Sequence, residues 1–224
     1  MGCRFEKTVR WNIITSGKSK VVFSGYLKNT IGEAHNILDI GTSQRFNKEL
    51  REYESWFDGK NYTAAGYNPM MVYGKYNCDR SEDIHNMSFP DESFDAVICI
   101  QVLEHVENPF LAAREIIRVL KPGGRLMVTV PFLSFYHGKK QRDHAPDHES
   151  YPDLWRFTYQ GLEQLFKGIS KTETVSLSGP IETRLSFILP ERLLDFKFFR
   201  GLIDMFDRPR KARSTRRYLL YGVK

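Results

Sequence analysis

The residues best suited to chemistry follow short apolar runs of the sequence, and the first run lies in ILDIGTSQRF at residues 37–46. Its apolar part closes on Asp39, Ile40 and Gly41, which is the form of a strand that presents its end to a nucleotide. Glycine lets the backbone of such a loop approach a ligand closely, and these loops usually have two or three glycines. Ser43 stands where a second glycine is expected. The segment therefore predicts a nucleotide-binding loop with an imperfect turn.

Two histidines follow later apolar runs and are candidates for handling a proton. His137 lies in PFLSFYHG, where an imidazole with a pKa near neutrality can take a proton from an acceptor group. The alternative, a loop histidine that is hydrogen-bonded to the backbone, stays open. His105 and its neighbour Glu104 follow the run FDAVICI, and a packing or capping role is favoured over catalysis for both. His137 is therefore the predicted general base.

A cluster with the composition of a metal site occurs in RDHAPDHES, which contains His144, Asp147 and His148. Imidazole and carboxylate groups are common ligands of transition metals, but the proline and the surrounding charges favour a mobile loop. The three cysteines are widely and unevenly spaced, and they match neither a disulfide framework nor a zinc pattern. The sequence therefore predicts no metal site.

An aromatic side chain lies between two charged ones in the segment Asp153, Trp155 and Arg156. An aromatic plane with a guanidinium and a carboxylate is suited to holding a sugar or a phosphate. The alternative is structural, with Trp155 and Phe157 anchoring the start of a helix that Thr158 caps. The structural interpretation is slightly favoured, and Asp153, Trp155 and Arg156 are kept as candidates for substrate binding.

The elements that must position these residues can be predicted from apolar patterning and turn signals. The expected strands cover residues 37–41, 62–67, 94–100, 125–132, 172–177 and the last nine residues. A helix with Asn108 as its N-cap and Pro109 in its first turn runs to the stop signal KPGG. A strand, a helix and a strand of these lengths form a right-handed crossover, which predicts a largely parallel sheet with helices on both faces.

The position of a ligand follows from this topology. Ligands of parallel sheets bind at the carboxyl ends of the strands. The residues that the predicted strands bring to this rim are Gly41, Asn68, Gln101 and Phe132. Further helical segments are expected within residues 46–57 and 161–166.

This order of segments resembles the class I S-adenosylmethionine-dependent methyltransferases, in particular their type 11 group. The similarity is most specific from Asp83 to Phe132. The segment DLWRFTYQGLEQLF at 153–166 is similar to an element of members associated with sugar, lipopolysaccharide or capsule pathways. The resemblance covers residues 36–180 and the final strand.

The resemblance implies an α/β fold with a doubly wound, mostly parallel seven-stranded sheet of the Rossmann-like type. The sheet is expected to end in a C-terminal antiparallel hairpin that carries a helical insertion. On this basis residues 1–224 form a single methyltransferase-like domain, with an N-terminal extension at 1–35 and an amphipathic, basic insertion at 181–215.

The resemblance also implies a cofactor, S-adenosylmethionine, and assigns its contacts. The predicted cofactor-binding residues are Asp39, Gly41, Thr42, Ser43, Asn68, Asp83, Ile84, Gln101 and Val102. Asn68 stands where the family usually has an acidic residue that holds both ribose hydroxyls, and the loss of a charged acceptor costs about 1–3 kcal/mol. Asp79 competes with Asp83 for the adenine position, since YNCD could itself end the third strand. Weaker cofactor binding than in relatives with a complete loop is therefore expected.

The positive charge of the chain is concentrated near its C-terminus. Residues 191–217 contain nine basic and four acidic residues, a net +5 of the total +6. A helical wheel has one apolar side, formed by Leu194, Phe196, Phe198, Phe199, Leu202, Ile203, Met205 and Phe206. Its polar side is formed by Arg192, Lys197, Arg200, Asp204 and Asp207. Such a helix usually covers its own core beside a solvated basic face, and it also permits contact with a membrane surface or a lipid-linked substrate.

The leading functional interpretation is methyl transfer from S-adenosylmethionine to a small-molecule or glycan- or lipid-linked acceptor, as O-methylation, in glycan or polysaccharide biosynthesis. One alternative is a non-catalytic relative that binds an anionic partner through its basic segment. Another is a nucleic-acid methyltransferase, which only the charge supports, because the chain has no Asn/Asp-Pro-Pro-Tyr motif. The absence of a signal peptide or a membrane-spanning run predicts a cytoplasmic protein, with peripheral membrane contact through 191–217 as an option.

Overall fold

The computed structural model describes residues 17–42, 45–46, 49–67, 78–138, 152–189, 197–207 and 214–224. The strands are β1 (Asn36–Ile40), β2 (Asn61–Gly66), β3 (Arg80–Ser81), β4 (Phe94–Ile100), β5 (Leu120–Pro131), β6 (Lys171–Ser176) and β7 (Arg217–Val223). The helices are α1 (Gly17–Ile31), α2 (Pro109–Val119), α3 (Tyr159–Leu165), α4 (Pro180–Leu185) and α5 (Lys197–Phe206), with a 3-10 helix at Arg51–Phe57.

The seven strands form one sheet in the order β3-β2-β1-β4-β5-β7-β6. Strands β1 to β5 pair in parallel, whereas β7 lies between β5 and β6 and is antiparallel to both. Helices α4 and α5 lie between the two arms of the β6–β7 hairpin in the chain. The predicted Rossmann-like sheet with its C-terminal hairpin and helical insertion is therefore confirmed.

The crossover from β4 through α2 to β5 forms as the turn signals predict. The Asn108 side chain caps α2 by accepting hydrogen bonds from the backbone amides of Phe110 and Leu111, each at 3.1 Å. Pro109 occupies the first helical turn, where its missing amide hydrogen is not needed. The helix ends at Val119, and β5 begins at Leu120, five residues earlier than expected, because Leu120 already pairs with β4 before a register shift.

Helices cover both faces of the sheet. Successive residues of each strand point to opposite sides, so apolar strand residues on both faces must be covered. On one face Ile116 of α2 and Leu162 of α3 pack into the larger core cluster. On the other face α1 contributes Phe23, Leu27 and Ile31, which are at most 2% exposed. The segment expected to be an N-terminal extension therefore supplies one of the two covering layers.

The C-terminal insertion differs from its predicted orientation. Of the predicted apolar side, Ile203 is buried, while Leu202, Met205 and Phe206 are 46%, 64% and 67% exposed. Asp207 was expected on the polar side, but it is buried, and its carboxylate accepts hydrogen bonds from the backbone at the start of α4. The polar side of the wheel therefore includes a buried residue, because Asp207 satisfies amides that the first turn of α4 leaves unpaired. The charged residues from 208 to 213 lie outside the described residues.

No helix among the described residues is both long enough and apolar enough to cross a membrane. Within the stretch 46–57 that was expected to be helical, the described residues form a 3-10 helix, whose Tyr53 and Phe57 are buried against the sheet.

Candidate active site

The carboxyl ends of β1, β2 and β4 meet at one rim of the sheet, which we call the strand-end rim. Gly41, just after β1, has φ +80°, and its amide donates to the carbonyl of Ala65 at 2.7 Å. A Cβ at Gly41 would lie 2.2 Å from a methyl carbon of Val102, and a Cβ at Gly66 would lie 2.2 Å from the carbonyl oxygen of Thr42. The glycines are therefore required for close packing of the loops against each other, and not only for access of a ligand.

Asp39 lies at the end of β1 and is fully buried. The Tyr62 hydroxyl donates to its Oδ2 at 2.5 Å, and its Oδ1 has no hydrogen-bond partner within the described part of the chain. Burial raises the pKa of Asp39 to about 7, against the lowering effect of the Tyr62 hydrogen bond and with a smaller contribution from the charge of Glu49. A buried carboxylate with one unsatisfied oxygen is the unusual polar group of this rim.

The imperfect positions of the predicted cofactor loop, Ser43 and Asn68, lie outside the described residues. The competing residue Asp79 precedes β3 and does not end it. Its carboxylate accepts from the backbone amide of Ala64 at 2.8 Å and from the Arg45 guanidinium at 2.6 Å. Asp79 therefore has a structural function in joining β2 to the loop after β1.

The other adenine-site candidates follow β3. Asp83 accepts from both the backbone amide and the ring Nδ1 of His85, at 2.9 and 2.8 Å, and its side chain is 51% exposed. These hydrogen bonds lower the pKa of Asp83. Ile84 is buried in the core next to it. The position of Asp83 after β3 favours it over Asp79, and its contact with adenine stays a prediction.

Gln101 and Val102 form the turn after β4. Gln101 has φ +54°, a conformation that residues other than glycine adopt rarely, and its amide donates to the carbonyl of Thr129 at 3.0 Å. Strained backbone of this kind clusters at functional sites. Val102 fills the space that Gly41 leaves empty, so the turns after β1 and β4 are in direct contact.

The strand-end rim fits the implied cofactor in its chemistry. S-adenosylmethionine carries an ammonium and a sulfonium group, which suit a rim where the buried Asp39 carboxylate supplies negative charge. The Gly41 backbone and the Gln101 turn are the groups that would face its methionine part, and Asp83 would face its adenine. These assignments of residues remain predictions.

A second group of polar side chains follows β4 and β5, next to the strand-end rim. Glu104 is fully buried, and neither of its carboxylate oxygens accepts a hydrogen bond from a described residue. Its Oε1 lies 3.7 Å from Nε2 of His137 and 3.8 Å from Nε2 of His105. We call Glu104, His105 and His137 the Glu–His–His cluster. An unpaired carboxylate at such a site costs several kcal/mol unless positive charge accompanies it.

His137, the predicted general base, is held by the loop in which it lies. Its backbone amide donates to Asp153 Oδ2 at 2.8 Å, and its ring Nδ1 lies 3.3 Å from the carbonyl oxygen of Phe135. The interaction with the Glu104 carboxylate raises the pKa of His137, with burial opposing it and Asp153 adding to it. A catalytic role for His137 stays a prediction, now with Glu104 as a neighbour.

His105 does not begin a helix but lies in a turn between β4 and α2. Its Nδ1 is 2.5 Å from the carbonyl oxygen of Pro152, and its ring meets that of His137 edge to face with centroids 5.1 Å apart. The sequence favoured a packing or capping role for His105 and Glu104. The cap of α2 is Asn108, so His105 and Glu104 do not cap that helix.

The predicted substrate-binding residues are connected within the protein. Arg156 forms two hydrogen bonds with the carboxylate of Asp153, at 2.5 and 2.7 Å, and a third with the carbonyl of Phe135 at 2.9 Å. The indole NH of Trp155 donates to the carbonyl of Val106 at 2.8 Å. Thr158 caps α3, as the structural alternative predicted. Substrate binding by Asp153, Trp155 and Arg156 remains a prediction, for which the exposed indole face of Trp155 is available.

Sequence reasoning missed two members of these sites. Tyr62 was assigned only to a strand, and Glu104 was treated as a structural neighbour of His105. The alternation of the strands could have indicated that Asp39 and the tyrosine lie near each other, since residues 39 and 62 belong to adjacent parallel strands. No signal in the sequence indicates that Glu104 is buried without a hydrogen-bond donor.

Residues 38–128 match the family model of a methyltransferase domain. A 2-methyl-6-phytyl-1,4-hydroquinone methyltransferase of Synechocystis is 38% identical over 108 residues, which is 45% of this chain and 33% of that protein. A ubiquinone biosynthesis O-methyltransferase of Xanthomonas oryzae is 51% identical over 37 residues, 16% of each chain. The matches thus span a third or less of the length of these curated relatives.

Solved structures share the fold across nearly the whole chain. A SAM-dependent methyltransferase from Archaeoglobus fulgidus has a TM-score of 0.57 at 16% identity and covers 92% of each chain. The Haemonchus contortus phosphoethanolamine N-methyltransferase 2, in complex with S-adenosyl-L-methionine, has a TM-score of 0.52 at 19% identity. It covers 90% of this chain and 51% of that one. At these identities the likeness concerns the fold alone.

Proposed function

Because the chain carries a methyltransferase domain on the class I fold, we propose that it transfers the methyl group of S-adenosylmethionine to a hydroxyl group of a small-molecule acceptor. The observation that carries this proposal is the position of the Glu–His–His cluster. It lies after β4 and β5, beside the loops at which the resemblance locates the cofactor. Proton-accepting groups at that position are what transfer to a hydroxyl requires.

Methyl transfer is a displacement at a sulfonium carbon, so the acceptor oxygen, the methyl carbon and the sulfur must be aligned. When bound, S-adenosylmethionine supplies an activated methyl group and a neutral leaving group. The chain holds the alignment through the packed turns at Gly41 and Val102, whose contact leaves no space for a side chain at residue 41. Glu104 and His137 are the groups that hold the acceptor oxygen or receive its proton.

An oxygen acceptor is supported by the relatives, among which is a ubiquinone biosynthesis O-methyltransferase. A second relative is a methyltransferase of a 1,4-hydroquinone, a compound that carries phenolic hydroxyl groups. A glycan- or lipid-linked acceptor rests on the similarity of residues 153–166 to sugar-pathway members, and a role in glycan biosynthesis rests on the same similarity. Phenols and sugars should therefore both be tested as acceptors.

The proposal is tested first by calorimetric titration with S-adenosylmethionine and with its demethylated product, and then by methyl transfer from labelled cofactor to phenolic and sugar acceptors. We expect binding of both cofactor forms, and a labelled methyl ether with one acceptor class. Absence of binding at millimolar cofactor would instead favour a non-catalytic protein with this fold. Binding without transfer to any phenol or sugar would remove the hydroxyl acceptor from the proposal.

A second proposal concerns residues 191–217, which we infer contact an anionic membrane surface. Three apolar side chains of α5 are exposed, Leu202, Met205 and Phe206, and the segment holds five of the six net positive charges. Exposed apolar groups beside basic ones combine burial in a bilayer with attraction to acidic headgroups. Each basic residue near such a surface contributes about 1 kcal/mol at low salt.

Sedimentation with liposomes tests this contact. Arg216 is buried and Arg217 belongs to β7, so the informative charge variant changes only Arg210, Lys211 and Arg213 to glutamine. It should weaken binding to anionic vesicles by about a hundredfold at low salt, and Phe206→Ser should weaken it as well. Val21→Ser is the matched control, because Val21 is 71% exposed on α1. Equal sedimentation of all variants would contradict the proposal.

A further inference from the structure

The Glu–His–His cluster is the group among the described residues that could hold a metal ion. One ligand atom from each of Glu104, His105 and His137 lies within 4.8 Å of the others. Three ligands on one cation 2.1 Å away would be about 3.4 Å apart in a tetrahedral site. The observed separations from the Glu104 carboxylate are 3.7 and 3.8 Å. A contraction of about 0.3–0.4 Å would bring the two distances from Glu104 to ligand geometry.

The hydrogen bonds of both rings fix the nitrogen that each presents to Glu104. Nδ1 of His105 faces the carbonyl oxygen of Pro152 at 2.5 Å, and Nδ1 of His137 faces that of Phe135 at 3.3 Å. A carbonyl oxygen only accepts, so both Nδ1 atoms must carry the proton. In the neutral rings each Nε2 therefore directs a lone pair towards the cluster. A histidine that donates its second ring NH to a carbonyl is the usual arrangement around a metal.

The group of the cluster that needs a positive partner is the buried carboxylate of Glu104. Glu104 is fully buried, and its oxygens accept no hydrogen bond from the described residues. A proton on His137 would supply one cationic partner. A divalent cation satisfies all three groups at once.

We propose that Glu104, His105 and His137 bind one divalent transition-metal cation, of which Zn²⁺ is the type that two histidines and a glutamate suit best. Three protein ligands leave a fourth position open for water or substrate, as in catalytic sites. Both rings are about one-fifth exposed, so a ligand can enter from their side. Asp153, which holds the backbone of His137, is a positioning residue for this site.

The cation would define the acceptor class, and this step rests on the proposed function. The hydroxyl of an acceptor can occupy the open position, and in an acceptor such as a catechol or a vicinal diol the neighbouring oxygen can add as a fifth ligand. The bound hydroxyl releases its proton to solvent, its oxygen forms a bond to the methyl carbon, and the carbon–sulfur bond breaks with its electron pair going to sulfur. In this arrangement His137 is a metal ligand, and the cation takes the role predicted for a base.

Binding of Co²⁺, a spectroscopic substitute for Zn²⁺, tests the site in the full chain after treatment with a chelator. We expect one equivalent of Co²⁺ with a visible absorption band, displaced by Zn²⁺. His105→Ala and His137→Ala should each weaken binding at least tenfold. His35→Ala, which removes an exposed histidine far from the cluster in sequence, should leave it unchanged.

A variant that changes both His144 and His148 to alanine separates this site from the motif that the sequence analysis discounted. The proposal would be overturned if that double variant lost Co²⁺ binding while His105→Ala kept it. It would also be overturned if the folded wild-type protein showed no saturable binding of Co²⁺. Glu104→Gln covers the case in which an alanine variant fails to fold, and its binding should also fall at least tenfold. Cofactor titration of the metal-free protein keeps the two proposals apart. Cofactor binding without Co²⁺ binding refutes only the metal site, and the reverse refutes only the methyltransferase function.

Discussion

Gly41→Ala is the substitution for which the structure gives the clearest expected result. The new methyl group would lie 2.2 and 2.8 Å from the two methyl carbons of Val102, at a backbone φ of +80°. The left-handed conformation costs about 1–2 kcal/mol for a residue with a Cβ. Forcing an extra carbon into a packed contact typically costs about 1–3 kcal/mol more. We therefore expect the free energy of unfolding to fall by about 2–5 kcal/mol.

Gly59→Ala separates these two contributions. Gly59 has φ +74°, nearly the same as Gly41, but a Cβ there would meet no atom within 4 Å. Its substitution should therefore cost only the conformational part, about 1–2 kcal/mol. Val102→Ala removes both methyl carbons that would clash, so in that background Gly41→Ala should cost about as much as Gly59→Ala does.

Urea unfolding of the four variants and the wild type measures these differences, and calorimetric titration with S-adenosylmethionine measures their effect on the rim. Gly41→Ala should weaken cofactor binding at least tenfold, because the turns after β1 and β4 must separate. Gly59→Ala should not change it. Equal loss of stability at both glycines, or a penalty that Val102→Ala does not relieve, would refute the argument that Gly41 is required by the contact between the two turns.

Three further results are expected. Burial raises the pKa of Asp39 to about 7, above its unfolded value, so wild-type stability should fall as pH rises from about 4 to 7. In urea unfolding, the wild type should lose about 4 kcal/mol of its free energy of unfolding between pH 4 and pH 8 through this ionisation, and Asp39→Asn should not. Asn68→Asp should tighten cofactor binding in calorimetry, since a carboxylate can accept from both ribose hydroxyls. His137→Ala should lower turnover about a hundredfold while the cofactor dissociation constant changes less than twofold.

Each of these expectations has a distinct contradictory outcome. Parallel pH profiles for the wild type and Asp39→Asn would mean that Asp39 ionises normally in the folded protein. Unchanged cofactor affinity in Asn68→Asp would mean that residue 68 does not face the ribose. Unchanged turnover in His137→Ala on a true acceptor would remove His137 from the mechanism, both as a base and as a metal ligand.

The central strands and the crossover helix could be predicted because their signals are local. The run at 94–100 is apolar except for Asp95, it contains three β-branched residues, and it forms β4 with these bounds. Asn108 and Pro109 define the start of α2 through the hydrogen bonds of a single turn. The start of β5 could not be predicted, because Leu120 joins the strand through its pairing with Phe94, 26 residues earlier in the chain.

The orientation of the C-terminal insertion shows the limit of a helical wheel. The wheel assigned Asp207 to the polar side of the helix because it is charged, but the amides at the start of α4 hold its carboxylate in the interior. A wheel contains no information on what lies beside the helix. Met205 and Phe206 of α5 are exposed although they are apolar, which the wheel alone could not predict.

The Glu–His–His cluster combines what topology can and cannot predict. Turns after adjacent parallel strands lie side by side, so proximity of residues 104–105 to residue 137 follows from the predicted order of β4 and β5. The state of the two imidazoles does not follow from it. The protonated nitrogen of each ring is set by a carbonyl oxygen, that of Pro152 for His105 and that of Phe135 for His137. The segment that contains Pro152 is held next to the turn after β4, because the amide of Leu154 donates to the carbonyl of Glu104 at 2.7 Å. Contacts with backbone carbonyls therefore orient both rings so that each Nε2 lies near the buried carboxylate of Glu104. A side-chain motif contains no information on such backbone contacts. The sequence therefore indicated His137 as a single base, whereas the structure permits a site with three ligands.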